Sequence, residues 1–204
     1  MNRTYAVLMD GGFVVKKLQK QLDRFPEPED ITKHCGKIST HDAMKGANLL
    51  RYYFYHAPPA QKTVTNPIDK KLIKLGQTPF AKASLSLLDK IELLPNFALR
   101  KGETQINGWK LGTQATKNIQ KNPRAPEARD FEPDISQKGV DLRIGLDIAR
   151  LSLQRLVDII IVVGGDSDFV PAFKFARREG ILVYLDHMGH NVSRDLKAHV
   201  DFIL

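Results

Sequence analysis

With 204 residues and 42% hydrophobic side chains, the chain is long enough to bury a sizeable core, and its composition excludes an intrinsically disordered protein. A formal charge of +8 and a pI near 9.5 favour a polyanionic partner, nucleic acid before membrane. Cys35 is the single cysteine, which rules out an internal disulfide and argues against a thiolate zinc site, so any metal here is expected on oxygen ligands.

Residues 4–9, TYAVLM, read as a nearly continuous apolar strand ended by Asp10, Gly11 and Gly12. The stretch has no cleavable signal pattern, and no run in the chain approaches a membrane-spanning length, so the expectation is a cytosolic protein without a membrane partner. FVVKKLQKQLDR then has helical spacing with lysines, Lys16 among them, on one side. Residues 41–50 suggest a short helix leading into LLRYYFYHA, whose aromatic content argues strand. A proline- and threonine-rich loop follows at 57–67, and residues 68–91 are helical in pattern with a break near Thr78 and Pro79.

Phe97 to Lys101 is a further strand candidate. Beyond it, residues 102–137 carry Gly, Asn, Gln, Pro and Lys with few apolar anchors, which predicts a long loop-like excursion, with a hairpin around Trp109 as one form it could take. Between residues 100 and 129 seven basic side chains face two acids, so the excursion reads as a mobile basic arm. From Gly139 the pattern becomes regular: a helix to Leu156, the buried strand LVDIIIVV, the helix DFVPAFKFARREG, the strand ILVYLD and the helix NVSRDLKAHV. Strands alternating with helices predict a single α/β domain, a mainly parallel sheet with helices on both faces, and such sheets place ligands at the carboxyl ends of their strands.

Two of the apolar strands end in acids beside glycines, at Asp10 in MDGG and at Asp166 and Asp168 in VVGGDSD. In a parallel sheet both turns open on one edge. Asp141 and Asp147, in the helix before the second of these strands, are further candidates; about 120° separates them around a helix, so they border a cleft without pointing the same way. Each acid has an ordinary alternative as a turn residue or helix N-cap, Asp10 and Asp168 above all. Carboxylates held close together either stay partly protonated or bind a hard divalent cation. Ser167, between two acids and without a Ser/His/Asp pattern around it, reads as a hydroxyl donor to a carboxylate or phosphate.

Taken together, MDGGF at 9–13, QKGVDLRIGLDIA at 137–149 and VVGGDSDFVPAF at 162–173 resemble the NYN family of PIN-like, metal-dependent ribonucleases. The resemblance implies a PIN-like three-layer α/β fold and an acidic pocket that binds Mg2+ or Mn2+ to cut RNA. Asp10, Asp141, Asp147, Asp166 and Asp168 would be its catalytic acids, all but Asp147 as metal ligands, with Lys138 and Ser167 near the phosphate. The chain departs from the family in two places: many members have a polar residue, often Asn, at Gly12, and many have Ser at Gly164 or Gly165.

The reading is therefore an endoribonuclease that prefers single-stranded RNA, in which Lys16, Arg100, Lys101, Lys110, Lys138 and Arg143 grip the backbone. The alternative is an RNA-binding or assembly module that keeps the fold but turns over little, and self-association is left open. A nucleotide-clamp transferase is disfavoured, since neither a Walker sequence nor G-x-G-x-x-G is present.

Overall fold

The structure, a computed structural model, describes residues 3–204. Its centre is a six-stranded sheet in the order β10-β9-β8-β1-β2-β5, and every pairing in it is parallel. In chain order the elements begin with β1 (Thr4–Asp10), α1 (Gly11–Leu22), α2 (Pro28–Ser39), β2 (Asn48–His56), β3 (Thr63–Thr65), β4 (Leu72–Lys74), α3 (Pro79–Glu92) and β5 (Phe97–Lys101). They continue with β6 (Glu103–Leu111), α4 (Thr113–Lys121), β7 (Phe131–Lys138), α5 (Val140–Leu153), β8 (Ile159–Val163), α6 (Val170–Arg178), β9 (Leu182–Asp186), α7 (Arg194–Ala198) and β10 (Phe202–Ile203).

The central strands are apolar on both sides because both sides are covered. Ile159 to Val163 are all fully buried, and burial of about 1.5–3 kcal/mol per side chain of this kind outweighs any propensity term. One core contains Leu8, Tyr55, Ile160 and Val162 with Ile144 and Ile148 of α5, Phe173 of α6 and Leu196 of α7. The other contains Val7, Met9, Ile161 and Val163 with Val14 of α1, Ile31 of α2 and Leu88 of α3. Helices α5–α7 thus cover one face and α1–α3 the other, giving the three-layer sandwich expected from the sequence. At the opposite edge from the site, the Asp158 carboxylate accepts from the Thr4 amide at 2.7 Å and locks the starts of β8 and β1 together.

From β1 the chain first builds outward through β2 and β5, then returns to place β8 on the other side of β1. This reversal opens a crevice at the carboxyl ends of β1 and β8, the usual ligand position in such a sheet. Among the described residues, no helix is long and apolar enough to cross a membrane.

Three regions differ from the sequence expectation. Residues 68–78 contain no α-helix: β3 and β4 form an antiparallel hairpin, a single 3-10 turn follows at Leu75–Gln77, and the α-helix begins only at Pro79 with Thr78 as its cap. An unanticipated helix, α2, starts at Pro28, where Asp30 accepts from the Glu27 amide at 2.8 Å and from both terminal nitrogens of Arg24. Proline at the first helical position followed by acids is a start signal that local reading could have used. Finally, the excursion is ordered. Strands β6 and β7 form an antiparallel ribbon in which Trp109 pairs with Pro133, and α4 sits at its tip with no buried side chain.

Candidate active site

Asp10 ends β1 and also caps α1, accepting a hydrogen bond from the Phe13 amide at 3.1 Å. The turn between them has little room: a Cβ on Gly11 would lie 2.6 Å from the Phe54 ring and from the Tyr55 carbonyl oxygen. Glycine is therefore required at 11 by the close approach of β2.

Beside it, β8 ends at Val163, the register partner of Met9, and the chain runs through Gly164 and Gly165 to Asp166. A Cβ on Gly164 would be 3.8 Å from that of Asp10, so the two turns face one another across the crevice. Gly165 is packed between Phe13 and His190, whose rings meet edge to face at 5.7 Å. The cap of the following 3-10 turn is Asp166, accepting from the Asp168 amide at 2.9 Å; the capping role expected of Asp168 thus falls to its neighbour. Asp168 itself is exposed.

Asp141 enters from the first turn of α5, which starts after Gly139 in a left-handed conformation. The acids act on one another. Burial, with the charges of Asp141 and Asp166 added, pushes the Asp10 carboxyl up to about 6 against the lowering effect of its backbone hydrogen bonds. The Asp141 carboxyl is also raised, by burial first and then by Asp166 and Asp168. Asp10, Asp141, Asp166 and Asp168 thus share one electrostatic neighbourhood, and no Lys or Arg forms an ion pair with any of them among the described residues.

Asp147 lies elsewhere. One of its oxygens accepts from the Tyr55 hydroxyl at 2.8 Å and from Arg100 Nε at 3.1 Å, beneath the sheet edge. Its partners make it a fixture of the β2–β5–α5 packing, and its charge does not contribute to the shifts of Asp10 and Asp141. Six residues of helix carry it about 9 Å down the axis from Asp141, which accounts for the separation.

The basic residues divide similarly. Arg100 is held by Asp147 and lies over the Tyr53 ring at 5.3 Å; Lys101 pairs with Glu92 at 2.7 Å and Lys110 with Asp134 at 3.0 Å. Arg124 pairs with Asp130 and Arg129 with Glu127, so the region expected to be a mobile basic arm is largely neutralised within its own fold. Lys16, Lys138 and Arg143 form no ion pair among the described residues; Lys16 and Lys138 are exposed, and Arg143 reaches back to the Gly139 carbonyl at 3.3 Å. Ser167 is exposed at the crevice, 3.5 Å from the Ser193 hydroxyl.

Two neighbours of the site had no role assigned from sequence. The Gln137 side chain, projecting from the end of β7, puts its Oε1 3.6 Å from where a Cβ on Gly12 would lie, next to Asp10 Oδ1 at 3.4 Å from the same point. Its Nε2 lies 3.5 Å from Nδ1 of His56, which is 5% exposed at the end of β2. The position of Gln137 in front of Lys138-Gly139 was visible, but its meeting with Gly12 depends on the β6–β7 ribbon.

Whether these acids suit a divalent ion follows from their chemistry and spacing. All donors are hard carboxylate oxygens, and the repulsion from neighbouring acids that adds to burial in raising Asp10 and Asp141 is what a cation would relieve. Among the described residues no three His, Cys, Asp or Glu side chains are close enough to chelate one ion unaided. The arrangement therefore fits Mg2+ or Mn2+ held by one or two carboxylates, with water and substrate phosphate completing the shell.

A profile of the NYN domain matches residues 96–203, spanning Asp141, Asp166 and Asp168. Asp10 lies outside that match and joins the same edge through the β1–β8 pairing. No curated protein matches the chain. Among solved structures, the chain resembles the crystal structure of a protein of unknown function from Vibrio parahaemolyticus at 14% identity and a TM-score of 0.54, over 100% of this chain and 92% of that one. That likeness bears on the fold, whereas the profile covers more than half of the sequence and carries the nuclease character of its family. The chain belongs to the NYN family of PIN-like nucleases.

Proposed function

We propose that this protein is a metal-dependent endoribonuclease acting on single-stranded RNA. The observation that carries the reading is the convergence of Asp10, Asp141, Asp166 and Asp168 at the β1–β8 crevice, with the first two carboxyls raised by burial and by the charges of neighbouring acids. Among Asp10, Asp141 and Asp166, with Asp168 at the rim, one or two carboxylates would bind Mg2+ or Mn2+ directly and the others through water. When bound, such an ion supplies Lewis-acid stabilisation of charge on the phosphate and acidifies water for attack on phosphorus.

The remaining work falls to the chain itself. Lys138 and Lys16, exposed and free of ion pairs among the described residues, bind backbone phosphates, and the Ser167 hydroxyl donates to a phosphate oxygen at the mouth of the crevice. Arg143, one turn into α5, orients the backbone beside Asp141. The Gln137 amide fills the space in front of Gly12, where a polar side chain was expected from the family resemblance, and takes over its positioning role. Arg100 and Asp147 act indirectly by fixing α5 against β2 and β5.

Circular single-stranded RNA tests the assignment, because only internal cleavage can linearise it. Linear product with Mn2+ or Mg2+ is expected; a protein that binds the circle and leaves it closed is a binding module.

A further inference from the structure

Next to the acids is a cavity of about 260 Å3 between α3, the end of β2 and the β6–β7 ribbon. It is smaller than the about 300–1,000 Å3 of a drug-sized ligand pocket, which suits one flat ring system better than a stretch of chain. Its lining is mostly apolar, with Ala60, Phe80 and Ile135 toward the mouth, and contains no Lys, Arg, Asp or Glu. Phe80 and Ile135 are 58% and 41% exposed, large apolar surfaces offered to a ligand at the rim. Its polar side chains are His56, Gln137, Ser84, Thr78 and Thr104; the two threonine hydroxyls already donate to the Leu75 and Pro58 carbonyls, which leaves an imidazole, an amide and a serine hydroxyl, together able both to donate and to accept.

A neutral pocket of this kind rejects phosphate and suits a heteroaromatic ring with hydrogen-bonding edges. Adjoining it, across a shared wall of Pro59, Ala60 and Thr104, is a wider trough of about 680 Å3 lined by Lys62 and Lys138 as well as Glu103. Cations in the trough and neutral groups in the pocket match the division of a nucleotide into backbone and base. The link to the acids is short. Gln137 stands between His56 in the pocket and Gly12 beside Asp10, so a ring held by its amide lies one side chain from the catalytic crevice.

We propose that this pocket is a base-selective subsite that seats one unstacked nucleobase of the RNA beside the bond to be cut, with Phe80 stacking on the ring and Gln137 and His56 reading its edge. The proposal rests on the ribonuclease reading for its substrate, but binding to the pocket can be measured without cleavage. The test is a nuclear magnetic resonance titration of the isotopically labelled protein with AMP, GMP, CMP and UMP in EDTA, following the His56 ring and the Gln137 side-chain amide.

At least one nucleotide should shift both resonances, with affinities that differ among the bases, and a short oligonucleotide of the preferred base should displace it. Filling the mouth with Ala60→Phe should weaken binding by about tenfold or more, the range expected for loss of a stacked base. Gln137→Ala, an exposed substitution that serves should Ala60→Phe fail to fold, should change the order of preference. Failure of all four nucleotides to shift these resonances, or equal binding by wild type and both variants, overturns the subsite. Binding that no oligonucleotide displaces makes it a free-nucleotide site and also overturns the proposal. Base-selective binding in a protein that cuts no RNA would leave the pocket standing and remove the ribonuclease assignment, whereas RNA cleavage without base binding would do the reverse.

Discussion

Met9 and Val163 are register partners across β1 and β8, and immediately beyond each of them the chain changes from buried aliphatics to acid and glycine. The pairing gives Asp10 and Asp166 a common edge although they belong to opposite ends of the chain. It also sets like charges against one another without a protein cation between them, and this has a measurable cost.

Asp10 should make stability fall with rising pH in EDTA. Its carboxyl is held at about 6 against an ordinary 3.8, so between those values the folded protein retains a proton that the unfolded chain has released. Stability attributable to this group is full below pH about 4 and is lost as pH rises through about 6, by about 3 kcal/mol in all. Asp10→Asn, whose amide oxygen can still cap the Phe13 amide, should be more stable than wild type at pH 7.5 by up to that amount and equal to it near pH 4. Denaturant unfolding of both proteins at the two pH values checks this; a variant that is less stable at both would make Asp10 chiefly a cap.

Asp147 should behave as a structural acid. Removing its charge leaves Arg100 without its carboxylate and the Tyr55 hydroxyl with a weaker acceptor, at a cost of about 1–3 kcal/mol. Asp147→Asn should therefore lower the melting temperature while retaining metal-dependent cleavage under conditions where the variant is folded. Complete loss of turnover in a folded Asp147→Asn protein would put this residue back among the catalytic acids.

Two glycines make opposite predictions. A methyl group at Gly11 meets the Phe54 ring and the Tyr55 carbonyl at 2.6 Å, so Gly11→Ala should destabilise by about 1–3 kcal/mol. Gly36 lies on the exposed side of α2, where a methyl group would have nothing within 4 Å, and Gly36→Ala should stabilise by about 0.5–1 kcal/mol. Thermal melts of the two variants, read against wild type, distinguish the crowded turn from the open helix.

Elements that bury aliphatics on both sides could be read locally. TYAVLM and LVDIIIVV announce the central strands, and glycines beside Asp10 and Asp166 announce the turns at their ends. What local reading could not supply was pairing. The β6–β7 ribbon has polar residues on both faces and depends on cross-strand partners such as Ile106 with Ile135, so ETQINGWKL looked like loop. The hairpin of β3 and β4 is only three residues on each side, too short for a period to declare itself. Net charge misled in the same way: Arg100, Lys101 and Lys110 count as free cations in a sequence, but the fold gives each a carboxylate. Gln137 acquires its position only once the ribbon brings it in front of Gly12.

The catalytic role of the acidic crevice is tested most directly by cleavage of end-labelled single-stranded RNA by wild type and Asp166→Asn in Mn2+, Mg2+ and EDTA. The expected result is internal cuts by the wild type with either metal, none in EDTA, and a loss of about a hundredfold or more in the variant, the order seen when one preorganised electrostatic group is removed from an active site. Cleavage that persists undiminished in EDTA or in Asp166→Asn, or RNA that is bound and never cut with any metal, would contradict it.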